Sequence, residues 1–158
     1  MRSGMTDRLV GMATLLVMAM PSCGQQKTSE SPEAGWVRDC PSDAFCFSRP
    51  PGLVAQPVQA IDSVTGIYRG GGMTLRFDMG ANAADGKDLA QAAAQDITVD
   101  GKPAQVLTAG PELMLVVPRV HESGRFKVRF AMSLQFEGAA QPALARRIFD
   151  TIQFKPPR

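Results

Sequence analysis

The 158-residue chain has one histidine, one tryptophan and one tyrosine, and aromatic residues make up only 6% of it. So few rings offer no stacking platform for carbohydrate. A single histidine, His121, leaves no histidine-based metal site. The formal charge is only +2, which excludes the basic stripe of a nucleic-acid binder. No G-x-S-x-G elbow is present. Gly70-Gly71-Gly72 lacks the lysine and the following Ser/Thr of a phosphate loop and precedes a strand-like segment, so it reads as a turn. Asp85, Asp88, Asp96 and Asp100 are scattered without the spacing of a calcium loop. The sequence therefore leads to no expected cofactor, no metal and no catalytic residue, and a non-enzyme is the favoured reading.

A long apolar run is missing too. Leu9 to Met20 spans twelve uncharged residues behind Arg2, Asp7 and Arg8. A free membrane-spanning helix needs ~20 apolar residues, whereas an export signal has a core of ~7–15. The run ends at Met20-Pro21-Ser22-Cys23-Gly24. These residues resemble the lipobox of bacterial lipoproteins. In that family a small residue precedes a cysteine that is acylated and becomes the new N-terminus. Ser22 and Gly24 fit the pattern, Met20 stands in for the usual leucine, and Pro21 departs from it. The resemblance implies a signal peptide at 1–22, lipidation such as palmitate on Cys23, and the lipid bilayer as a partner. Several acyl chains hold a protein stably where one does not. The residue after Cys23 is not the aspartate that marks inner-membrane retention in that family. The expected address is therefore the cell envelope, at the outer membrane facing the periplasm. A secreted or periplasmic protein and an uncleaved anchor are the alternatives. Met5 is a second candidate start that leaves the signal intact.

Without residues 1–22, which hold Arg2, Arg8 and Asp7, the 17 basic and 15 acidic residues fall to 15 and 14. The near-neutral remainder again argues against nucleic acid. With Cys23 set aside, Cys40 and Cys46 remain. Their C-x₅-C spacing is neither the C-x-x-C of redox enzymes nor a zinc knuckle. An exported compartment favours a disulfide, and closing the CPSDAFC loop would stabilise the fold by roughly 2–2.5 kcal/mol.

Residues 23–35 read as a lipidated cysteine and a polar tether. Its twelve residues from Gly24 to Gly35 would average roughly 19 Å end to end and reach about 40 Å. Residues 36–158 read as one globular domain. Period-two alternation dominates it. Met73, Leu75, Phe77 and Met79 share one face of MTLRFDMG, and six apolar residues from Phe126 to Phe136 share one face of FKVRFAMSLQF. Turns are expected at Gly70–Gly72, at Asp100-Gly101, which favours type I′, and at Glu122-Ser123-Gly124. The last of these puts His121 in an exposed loop. Helices are expected at Gln141–Ile152, with Leu144, Ile148 and Ile152 inward, and at alanine-rich Lys87–Gln95. TIQF at the end reads as a returning strand. The fold class is α+β: a single twisted antiparallel sheet of six to eight strands in a hairpin meander, with one or two helices packed on it, the C-terminal one and a second short one as the alternative.

The ending ALARRIFDTIQF is similar to the last helix and strand of small exported bacterial domains such as the PsbP-like domains. FCFSRPPGL resembles their first strand and turn. The likeness covers about 25 residues. It implies a shape and carries no activity.

Two functions are weighed. The first is a membrane-anchored periplasmic or cell-envelope binding or interaction module with an envelope protein partner. The alternative is an enzyme, or ligand site, around Asp62, Arg76 and Asp78. There Arg76 would read an anion and the two acids would orient a ligand. The bland reading has the acids capping turns and Arg76 in a surface ion pair.

Overall fold

A computed structural model describes residues 35–89, 91–123 and 126–155. The signal segment, Cys23 and most of the tether therefore lie outside the described residues. Ten strands and one helix follow in order: β1 (Val37–Ser42), β2 (Phe45–Arg49), β3 (Val54–Gln56), β4 (Val64–Gly70), β5 (Met73–Gly80), β6 (Ala93–Val99), β7 (Lys102–Ala109), β8 (Glu112–Ser123), β9 (Phe126–Phe136), α1 (Pro142–Asp150) and β10 (Gln153–Phe154). Seven strands form an antiparallel sheet in the order β3-β4-β5-β9-β8-β7-β6. Hairpins join β3 to β5 and β6 to β9 in turn, as expected, but a crossover from β5 to the edge strand β6 interrupts the meander. A second, three-stranded sheet in the order β1-β2-β10 was not expected. It packs with α1 on one face of the large sheet, so the core is the space between two layers.

The alternating strands supply that core. Met73, Leu75, Phe77 and Met79 of β5 and Phe130, Met132, Leu134 and Phe136 of β9 are buried. The two strands pair in continuous register from Met73↔Phe136 to Gly80↔Arg129, which aligns both apolar faces. Phe45 and Phe47 of β2 come down from the small sheet. Phe45 meets Phe77 edge-on at 5.1 Å and Phe130 at 4.9 Å, and Phe47 meets Tyr68 at 5.6 Å. Such pairs add about 0.5–1.5 kcal/mol each beyond area burial.

The turns follow backbone chemistry. Asp100 and Gly101 have φ of 48° and 73° between Val99 and Lys102. That is the two-residue geometry with positive φ at both positions of a type I′ hairpin. Gly70 leaves no room for a side chain, because a Cβ there would stand 2.0 Å from the Gly52 carbonyl oxygen.

Three further expectations change. The Lys87–Gln95 helix does not form. Residues 93–95 open β6, and the residues before them make turns closed by Leu89 N–H to Gly86 O and Ala92 N–H to Leu89 O. The strand order supplies the reason. The link from central β5 to edge β6 must cross β9, β8 and β7, and it lies flat on the outer face of the large sheet. Gly86 fits against Leu107 and Val116 with no space for a Cβ, and Arg129 Nη1 donates to Ala83 O at 2.6 Å. Packing overrides alanine's helix propensity.

The helix itself is Pro142–Asp150, with proline in its first turn. Its buried residues are Ala145, Ile148 and Phe149, while Leu144 is half-buried, so the inward face is turned slightly from the expected stripe. The final expectation concerns His121, which lies within β8 and not in a loop.

Candidate functional site

The structure bridges Cys40 and Cys46, as the spacing suggested. Cys46 is buried on central strand β2 and Cys40 is exposed on β1. The bridge ties the strand next to the tether to the middle of the small sheet. A disulfide fits an exported protein. No helix among the described residues is long and apolar enough to cross a membrane.

The two ends of the sandwich differ. At the end holding the β4–β5 hairpin, the buried polar groups have partners. Arg49 Nε donates to Asp39 Oδ2 at 3.0 Å, and another guanidinium nitrogen donates to the Leu53 carbonyl. The guanidinium carbon stands 5.1 Å from the centre of the Tyr68 ring. Burial pushes the Tyr68 hydroxyl up to about 12; the negative charge and hydrogen bond of Asp39 add to this, while Arg49 opposes it. This cluster joins the small sheet to the large one.

At the opposite end is a cavity of about 550 Å³. Its walls are Ala44 from the β1–β2 turn, Ile61 to Val64 on the approach to β4, Met79 to Ala81 at the end of β5, and His121 and Val128. Ile61 is fully exposed at the rim. The lining is mainly apolar, with Asp62, Ser63 and His121 as the side chains able to orient a ligand. Ligand sites generally have that makeup.

His121 reaches the cavity through a bulge. Val117 pairs with Phe130 and His121 pairs with Val128, so four steps along β8 match two along β9. Pro118, within the shift, cannot donate to the ladder. The surplus is two residues, an even number. His121 therefore keeps the face of Val117 and Val128, which is the inner one. Its Nδ1 is buried and has no hydrogen-bond partner among the described residues. Buried polar atoms are nearly always paired, so an unpaired one asks for a reason.

The three site residues singled out from sequence are not brought together. Asp62 lines the cavity and is exposed to it. Arg76 and Asp78 are not among its walls. They alternate with the buried Leu75, Phe77 and Met79 and so project from the outer face of β5. Arg76 is exposed and Asp78 half-buried, with Asp78 Oδ1 lacking a hydrogen-bond partner. No ion pair joins Arg76 to Asp78 among the described residues. Sequence reading passed over Ser63, Ile61 and the placement of His121. The signal for His121 was Pro118, whose proline marks an interrupted ladder as readily as a strand end.

No group of three or more His, Cys, Asp or Glu is gathered for a metal among the described residues. Comparison with protein-family models, curated proteins and solved structures finds no match.

Proposed function

We propose that the protein is a lipid-anchored binding module of the cell envelope, held through acylated Cys23 and taking a small amphipathic ligand in the cavity beside His121. The observation that carries the binding role is the cavity itself. It combines apolar walls with the side chains of Asp62, Ser63 and His121, and the buried Nδ1 of His121 has no partner among the described residues. A ligand group that hydrogen-bonds Nδ1 would remove the cost of leaving it unpaired. The anchor rests on Met20 to Cys23 and on the polar tether between them and Trp36. The disulfide supports export, and the outer membrane facing the periplasm is the proposed address. The enzyme alternative has less support, because Arg76 and Asp78 stand on the face opposite Phe77 and outside the cavity walls.

Fractionation and intact mass of the native protein and its Cys23→Ser variant test the anchor. The expected native form partitions with membranes, lacks residues 1–22 and carries acyl mass, and the variant does none of these. If both forms are soluble, or both keep the full N-terminus, the anchor reading is overturned. The ligand role is tested separately at His121. As the chain's only histidine, its ring gives a nuclear magnetic resonance signal that needs no further assignment.

A further inference from the structure

A strand at the edge of a sheet exposes unpaired N–H and C=O groups, and proteins normally blunt such edges. The two sheets here have four edges, and three are blunted. β3 has only three residues, with Pro50, Pro51 and Pro57 close on either side. β1 contains Pro41, a register irregularity and the disulfide. β10 has two residues and precedes Lys155-Pro156-Pro157. The fourth edge, β6, is different. It has seven residues, pairs with β7 in unbroken register from Ala93↔Thr108 to Val99↔Lys102, and contains no proline, lysine or arginine. Ala93 to Asp96 and Thr98 are all exposed.

The type I′ turn fixes which backbone groups face out. Val99 and Lys102 flank it as a hydrogen-bonded pair, so Val99, Ile97, Gln95 and Ala93 direct their N–H and C=O to β7. Ala94, Asp96 and Thr98 direct theirs to the open side.

We infer that this edge pairs with β6 of a second copy, antiparallel about a two-fold axis at Ile97. Among the described residues, a second copy has one plain edge to offer, its own β6. The contact is therefore isologous and closes as a dimer, not a filament. Charge selects the register. An axis through Asp96 sets the two carboxylates directly opposite, which is destabilising. An axis through Gln95 sets Asp96 against Ala94 and requires Ala92, whose N–H is already bonded to Leu89 O. An axis through Ile97 sets Asp96 opposite Thr98 twice. Each such pair exchanges two backbone bonds, and the threonine hydroxyl can donate to a carboxylate that already accepts from Gln105 at 3.1 Å. The two Ile97 side chains then meet on the inner face. The lipid anchor, where it holds, raises the local concentration of copies, but the pairing does not otherwise depend on the proposed function.

The test uses the purified full-length chain in detergent. Ile97→Cys places two thiols at a non-hydrogen-bonded pair, where Cα atoms lie about 4.5 Å apart and a disulfide can form. Mild oxidation should convert most of Ile97→Cys to a cross-linked dimer and leave Arg76→Cys, on the outer face of β5, as monomer. Thr98→Pro removes an outward donor without touching the β7 ladder. At a concentration low enough to keep both chains monomeric it should unfold as the native chain does, yet at higher concentration it should abolish the dimer that the unmodified chain shows in sedimentation. A monomeric native chain, or a dimer that Thr98→Pro leaves intact, would overturn the proposal. Cross-linking of Gln95→Cys in place of Ile97→Cys would overturn the register.

Discussion

The two ends of the sandwich are built from the same strands and treat buried polar groups in opposite ways. At the hairpin end, Arg49, Asp39, the Leu53 carbonyl and Tyr68 satisfy one another. At the other end, the His121 ring nitrogen is buried beside a cavity with no partner among the described residues. A closed polar network specifies how layers dock, and removing one member strands the rest. An unpaired group contributes nothing to docking, so its place is better explained by something that arrives from outside. The comparison assigns stability to the first end and recognition to the second.

Removing a partner at the hairpin end should have the largest effect. Arg49→Ala leaves a half-buried Asp39 carboxylate and the Leu53 carbonyl unpaired, and is expected to cost about 2–4 kcal/mol in urea unfolding. A loss below roughly 1 kcal/mol would mean that the network does not hold the sheets together. Reduction of Cys40–Cys46 is expected to cost about 2 kcal/mol, read in the same assay with and without a reductant.

Tyr68 supplies a pH test. Its folded-state value is raised from 10 to about 12, so the folded protein holds the phenol proton more tightly than the unfolded chain does. That contribution is fully present below pH 10 and is lost as pH rises towards 12. Stability should fall by roughly 2 kcal/mol across that window, and Tyr68→Phe should flatten the fall. An equally steep decline in the variant would assign it to other groups.

The smallest stability effect belongs to the open end. His121→Leu should leave stability within about 1 kcal/mol of native, or raise it, because it deletes an unpaired polar atom. It should still impair ligand binding. A large destabilisation would make His121 a structural residue and erase the contrast between the ends.

Legibility in the sequence followed the same physical divide. β5 and β9 were readable because every second residue is apolar and one face of each is buried. The hairpins at Gly70–Gly72 and Asp100-Gly101 were readable because positive φ leaves few residue choices. The small sheet was not, because β1 (VRDCPS) is mostly exposed and carries no period. The other two strands of that sheet, β2 and β10, lie far apart in the chain and pair at Phe154↔Phe45, a contact that no local pattern announces. Only the start of β6 was misread, because AAQ favours a helix until the strand order draws the preceding link flat across the sheet. Asp62 was identified, but its supposed partners Arg76 and Asp78 were separated from it by strand alternation. His121 reaches the cavity only because the β8 bulge adds an even number of residues, and composition does not show that parity.

The most direct test follows the His121 ring by nuclear magnetic resonance during titration with N-phenyl-1-naphthylamine, an amphipathic aryl amine. The comparison is the Ala81→Trp variant, which fills the cavity mouth from an exposed position. The account predicts saturable shifts of the ring signals in the native protein and none in the variant. Binding that leaves the His121 signals unmoved, or that Ala81→Trp does not weaken, would contradict it.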